Sequence, residues 1–251
     1  MKRDLLLEYL GQLLTPERYS DYAPNGLQVE GVDEVRRVVS GVTACQALVD
    51  TAVARGADTL LVHHGYFWRG EAQPVVGMKA RRLRTLLMHG INLIAYHLPL
   101  DVHPELGNNA AIARDLEIEV LGRFDTGTAI PLGWHGALRQ PLAAEAFVRR
   151  VGESLGRTPT LVSGGDHPIR TIGWCTGGAQ GFIDGAAALG LDAYLSGELS
   201  EPTVHVAREA GIHYLAAGHH ATERGGVRDL GRHLAERFGI EVVFVDIDSP
   251  A

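Results

Sequence analysis

The chain of 251 residues is predicted to be α/β, folded as two similar α/β lobes. Three observations predict it. Short apolar, β-prone runs alternate with helical patterns, and this alternation occurs twice. The second run also overlays on the first at a shift of 134 positions, pairing Gln46 with Gln180, Asp50 with Asp184, Gly56 with Gly190, Asp58 with Asp192 and Leu61 with Leu195, which reads as an internal duplication. Finally, 45% hydrophobic and 21% charged residues suffice for a proper core.

Taken in order, Leu5, Leu6, Leu10, Leu13 and Leu14 recur at helical spacing before Pro16, so residues 3–14 are predicted to be an amphipathic helix. Residues 21–31 are turn-rich around Asn25-Gly26 and read as a plain connection. A βαβαβ run follows, with strands at 37–42, 58–62 and 91–95 and helices at 44–55 and 79–89, which implies a parallel sheet. Residues 108–116 continue as a helix. The glycines, Pro131 and Trp134 of segment 122–136 read as an internal boundary, so the lobes are expected at residues 1–125 and 126–251, with terminal segments free to cross over.

Beyond that boundary a helix at 142–155 and a strand at 158–162 precede the second alternation. Its strands are expected at 169–175, 192–196 and 213–217, its helices at 178–189 and 202–210. A helix at 227–238 and a strand at 241–246 close the chain.

Ligands of parallel sheets bind beyond the carboxyl ends of the strands. The run Leu60-Leu61-Val62 ends there in His63-His64-Gly65, with Gly65 read as permitting a turn. The next strand runs into Tyr96-His97, followed by Asp101, and the last strand of the second alternation into His219-His220-Ala221-Thr222-Glu223. Taken singly, each signal is weak: a His-His pair is more often a packing accident than a ligand pair, and His-x-x-x-Glu also suits an ion pair on a helix face. Together, His63, His64, Asp101, His219 and Glu223 make five potential ligands of the kind that holds two divalent metals. Imidazole and carboxylate suit zinc, iron or manganese better than calcium or magnesium.

His97 is read as a general base or as a group that orients a ligand. His220 is read as pointing elsewhere, Glu198 and Glu201 as facing the cleft or starting a helix, and Cys175 as a buried thiol. The turn from Cys175 to Gln180 is glycine-rich enough to cradle a phosphate, but it carries no P-loop or dinucleotide fingerprint.

The formal net charge of −7 and pI near 5.9 argue against broad affinity for nucleic acid or anionic membrane. Two cysteines offer no disulfide framework. With no signal-peptide core and no apolar run long enough for a bilayer, the chain reads as cytoplasmic.

Five spaced stretches carry a family resemblance: LVHHGYFW from Leu61, AYHLPLD from Ala95, CTGG from Cys175, SGE from Ser196 and GHHATE from Gly218. With the early Asn25-Gly26-Leu27-Gln28-Val29, they resemble the dinuclear-metal family named for an NGG-interacting factor, whose members are often called GTP cyclohydrolase I type 2 homologs. The resemblance implies two α/β lobes with a metal cleft between them, ligands at His63, His64, Asp101, His219 and Glu223 with Glu223 as the bridge, and a toroidal homohexamer. With such a metal pair the chain reads as a metal-dependent hydrolase acting on a nucleotide or a related C–N or phosphoester compound, with His97 as the candidate for proton transfer. A non-catalytic metal-binding or assembly protein is the alternative. The chain departs from the family pattern at His220, where tyrosine is usual.

Overall fold

A computed structural model describes residues 1–251 as mixed α/β with two sheets. The chain divides into two compact units, one formed by residues 1–107 and 224–248, the other by 108–223 and 249–251.

In the first unit, helix α1 (Arg3–Leu14) buries Leu6, Leu10 and Leu14, spaced one turn apart on one face. It ends at Thr15, held at φ 45°, because Pro16 cannot continue it. Strand β1 (Gly26–Val29) is followed by β2 (Arg37–Thr43), α2 (Gln46–Ala54), β3 (Thr59–His64), α3 (Gly77–Met88), β4 (Asn92–Ala95) and the short α4 (Leu98–Val102). Strands β2, β3 and β4 are parallel neighbours, and β1 runs antiparallel along the outer edge of β4. Alternation along β3 shows why this sheet is covered on both faces. Leu60 and Val62 pack with Leu48 and Val49 of α2 and Leu83 and Leu86 of α3. Leu61 points the other way and packs with the buried leucines of α1.

The second unit holds α5 (Asn108–Asp115), β5 (Ile118–Phe124), β6 (Gly133–Leu142), α6 (Ala144–Leu155), β7 (Thr160–Val162), β8 (Ile169–Trp174), α7 (Ile183–Ala188), β9 (Ala193–Ser196), α8 (Glu201–Ala210) and β10 (His213–Ala216). Its six-stranded sheet has the order β5-β6-β8-β9-β10-β7, with β8, β9 and β10 parallel. Phe147, Val151, Ile169, Ile172 and Trp174 centre its core. Helix α9 (His219–Phe238) begins in this unit and runs on into the first, where Val227, Leu230 and Leu234 join Leu61 and the α1 leucines. Strand β11 (Glu241–Phe244) then adds in parallel to β2.

Several expectations are corrected here. Segment 122–136 contains no boundary: β5 and β6 pair antiparallel across it, and the glycines and Pro131 belong to a hairpin and its flanking strands. The chain passes between units at Gly107–Asn108 rather than at 125/126, and residues 224–248 return to the first unit, a crossing over that the expected division allowed. The expected helix at 178–189 is a 3-10 turn, Gln180–Phe182, followed by the short α7. Helix α9 starts eight residues before the predicted 227 and runs through Gly225 and Gly226, which are buried inside it.

The repeat noticed in the sequence has a local counterpart in each unit. Asp58 Oδ2 accepts from the amides of Arg36 and Arg37 at 2.8 and 2.9 Å, and 134 positions on Asp192 Oδ2 accepts from those of Arg170 and Thr171 at 2.9 and 2.7 Å. The Asp58 carbonyl takes the amide of Asn92, and the Asp192 carbonyl that of His213, each at 2.9 Å. Each aspartate thus tethers the start of one parallel strand to the next, the pattern an internal duplication would leave. No helix is long and apolar enough to cross a membrane.

Candidate metal centre

In the first unit the candidate residues gather at the carboxyl end of β3 and β4. The last register pair is Val62 with Ala95, so β4 stops one position short of His63. Beyond that point Tyr96 turns its carbonyl to His63 Nδ1 at 2.9 Å. A carbonyl only accepts, so Nδ1 carries the proton and Nε2 keeps the lone pair. That Nε2 lies 3.4 Å from Asp101 Oδ1, both side chains being buried. His64 Nδ1 meets Thr43 Oγ1 at 3.1 Å across the β2–β3 pair. Both histidines lie within the strand, which does not stop before His64, and their rings still come to 4.5 Å between centroids.

Gly65 has a different reason from the one expected. Its φ is not positive; a Cβ there would stand 2.1 Å from Gln28 Oε1 and 2.8 Å from Ala95 Cβ. That oxygen accepts the amide of Tyr66 at 2.6 Å, so glycine makes room for a side chain that pins the loop after β3.

His97 caps α4, and Asp101 follows one helical turn later, its amide bonded to the His97 carbonyl. The segment read as a plain connection is built around this histidine. Asp21 Oδ1 lies 2.8 Å from His97 Nδ1, Asp21 Oδ2 accepts the Leu98 amide at 3.0 Å, and Asn25 Oδ1 accepts the His97 amide at 2.7 Å. Burial pushes the Asp21 carboxyl up, but its bond to His97 and those from Asn25 and Ala23 outweigh this and hold it down to about 2. His63, His64 and His97 each offer a nitrogen, all within 4.8 Å of one another.

In the second unit, His219 and Glu223 occupy the first turn of α9, where i, i+4 spacing brings His219 Nε2 to 3.2 Å from Glu223 Oε2. His219 Nδ1 donates to Glu198 Oε1 at 2.7 Å, which again leaves Nε2 as the outward nitrogen. Burial pushes the His219 imidazolium down, and the Glu223 and Glu198 carboxylates more than offset it, raising it to about 9. Gly177, at φ 70°, closes the floor: a Cβ there would sit 2.1 Å from Glu223 Oε1. Its amide donates to Thr222 Oγ1, and its carbonyl accepts from Ser196 Oγ and from the Gly197 amide. The Cys175–Gln180 turn is therefore the wall behind Glu223, and Cys175 itself is a buried thiol. Glu201 pairs with His205 on the exposed start of α8.

Sequence reasoning missed Asp21 and Thr43 and left Glu198 undecided. Only Glu198 carried a signal, its place after a strand end equivalent to that of His63-His64.

The donor set suits divalent transition metals. Metal-bound histidines characteristically have their second nitrogen engaged, as those of His63, His64 and His219 are. Two donors on one tetrahedral ion, with bonds of about 2.0–2.1 Å, stand about 3.3 Å apart. The His63–Asp101 and His219–Glu223 pairs, at 3.4 and 3.2 Å, match that separation.

Comparison with known proteins agrees over the whole chain. The profile of the family Duf34/NIF3 (NGG1p interacting factor 3) matches residues 1–250. A protein of Pseudomonas aeruginosa named GTP cyclohydrolase 1 type 2 homolog is 58% identical over 98% of this chain and 97% of its own, and the Escherichia coli K12 protein of the same name is 50% identical over 100% of both. Among solved structures, protein ybgI, described as of unknown function, superposes with a TM-score of 0.96 at 50% identity over 100% of both chains. TTHA1606 from Thermus thermophilus does so with a TM-score of 0.91 at 36% identity, also over 100% of both. The chain belongs to the Duf34/NIF3 family.

Proposed function

We propose that this chain is a dinuclear-metal-dependent hydrolase in which His63, His64, Asp101, His219 and Glu223 would hold two divalent ions of zinc, iron or manganese. The observation that carries this reading is the common orientation of three imidazoles: His63, His64 and His219 each have Nδ1 engaged by Tyr96, Thr43 or Glu198. When bound, two such ions supply Lewis acidity and lower the pKa of a coordinated water toward about 7.

The chain's own groups do the rest. Asp21 fixes Nδ1 of His97, which leaves Nε2 as the nitrogen that exchanges a proton with substrate. Buried Asp101 and Glu223 present carboxylates where water is scarce, which strengthens their hold on a cation. The substrate class, a nucleotide or a related small molecule with a C–N or phosphoester bond, is taken from the relatives' name, GTP cyclohydrolase 1 type 2 homolog. The working form is proposed to be a cytoplasmic homohexamer.

The test starts with elemental analysis of protein purified without chelators, beside His63→Ala and Glu223→Ala. About two transition-metal ions per chain, lost in both variants, supports the centre; metal near zero in the native protein overturns it. Turnover by metal-loaded protein across a panel of nucleotides and phosphoesters then decides the chemistry. Full metal content without turnover of any of them leaves the non-catalytic metal-binding reading in place of the hydrolase.

A further inference from the structure

Two aromatic side chains beside His97 play no part in the metal centre. Tyr22 is 52% exposed and Trp68 half-buried, and their ring centroids lie 5.5 Å apart at an interplanar angle of 37°. Both meet the His97 imidazole nearly at right angles, Trp68 at 5.1 Å and 80° and Tyr22 at 4.9 Å and 76°. Trp68 also lies 5.7 Å from the His64 ring. A partly exposed indole and phenol at one corner leave apolar area in water, which folding alone does not favour.

The backbone is specifically held to place them there. The Arg69 amide donates to the Tyr22 carbonyl at 2.8 Å, and the Arg69 guanidinium donates to the Asp21 carbonyl at 2.9 Å. The segment bearing Trp68 is thus stapled to the one bearing Tyr22, and Asp21 of that same segment holds His97. Trp68 Nε1 donates to the Gly65 carbonyl, which fixes the indole over the turn after His64. Immediately before it, Phe67 takes φ 65°, a conformation that a side chain with a Cβ adopts at a cost. Backbone strain of this kind collects where a site needs a side chain aimed in a particular direction.

We propose that Tyr22 and Trp68 form a stacking platform for a planar heteroaromatic ring of the substrate, such as a purine, and so set the substrate class of the site served by His97. This rests on the hydrolase reading above. A wide, flat, amphipathic surface suits a π-system that keeps polar edges, and stacking tolerates different rings because each has a π-face. A ring laid there has its edge beside the proton-transferring imidazole. A sugar phosphate without a base has nothing to place on it.

The experiment uses chelator-treated full-length protein, so that ring binding is read apart from metal content and turnover. The probes are guanosine 5′-monophosphate and ribose 5-phosphate, followed by calorimetry and by tryptophan emission. Trp134 and Trp174 are buried, so quenching by a stacked base reports on Trp68. The expected result is saturable binding and quenching by the nucleotide, none by the sugar phosphate. Affinity should weaken by roughly ten- to hundredfold in Trp68→Leu and in Tyr22→Leu. Because about half of the Tyr22 side chain is exposed and Leu retains apolar contact with Trp68, its variant should unfold within a few degrees of wild type. Equal binding of the two probes, no saturable binding of the nucleotide, or unchanged affinity in Tyr22→Leu overturns the proposal. Metal-free protein that binds the nucleotide through these rings, while loaded protein turns nothing over, would sink the hydrolase reading and keep the platform.

Discussion

His97 Nδ1 and Asp21 Oδ1, 76 residues apart in the chain, lie 2.8 Å from one another, with the Asp21 side chain 4% exposed. The pair gives His97 a fixed ring orientation, and it has a measurable pH signature. The Asp21 carboxyl is held at about 2, below its ordinary value of 3.8. A depressed carboxylate contributes stability that is present above its unfolded value and is lost as pH falls through the folded one. Wild-type protein should therefore lose on the order of 2 kcal/mol between about pH 4 and pH 2 from this group. Urea unfolding across that window should show a shallower loss in Asp21→Asn; parallel curves for the two proteins would remove Asp21 from this role.

Glu198 is predicted to act on metal through His219. Glu198→Gln keeps the size of the side chain but weakens the partner of Nδ1. Metal affinity should drop about ten- to a hundredfold, as is usual for groups that orient a ligating histidine. Competition with a chromogenic chelator measures this, and an affinity within twofold of wild type would argue against it.

In metal-free protein the same imidazole is raised from 6.5 to about 9, against the effect of burial, by Glu223 and Glu198. A raised histidine stabilises fully below its unfolded value and loses that contribution as pH rises through the folded one. Chelator-treated wild type should thus lose stability between about pH 6.5 and pH 9, and His219→Gln should not show this loss. Denaturant midpoints at several pH values decide it.

Gly177→Ala should impair the centre more than the fold. At φ 70°, with Glu223 Oε1 2.1 Å from the new Cβ, alanine both strains the backbone and displaces a buried carboxylate. The expected outcome is folded protein by circular dichroism that retains well under the wild-type metal content. Full metal content would show that Glu223 can give way without consequence.

Gly65→Ala tests packing. The added methyl meets Gln28 and Ala95 and breaks the hold of Gln28 on the Tyr66 amide. Overpacking of this kind costs about 1–3 kcal/mol. At roughly 2–4 °C per kcal/mol for a chain of this size, the melting midpoint should fall by several degrees, and an unchanged midpoint would contradict the steric account.

The sequence by itself determined the alternation of strands and helices and the places where chemistry could sit. In a parallel sheet, strands such as β3 and β4 share one carboxyl edge, so His63, His64, His97 and Asp101 had to fall near one another once those strands were recognised. The i, i+4 spacing of His219 and Glu223 was visible too, although the glycines of Thr222-Glu223-Arg224-Gly225-Gly226 hid that α9 had already begun. Tertiary structure alone decided which groups orient those side chains and where the last elements go. Asp21 reaches His97 from a loop that composition marks only as a turn, because a hydrogen bond between distant residues leaves no period in the sequence. Gly65 looks like a turn glycine, yet it is required by Gln28 arriving from elsewhere, and Gly177, a turn glycine at φ 70°, is required by Glu223 as well. Strand β11 joins β2 at a separation of about 200 residues, because an apolar strand carries no record of its partner and only the folded sheet offers it an open edge.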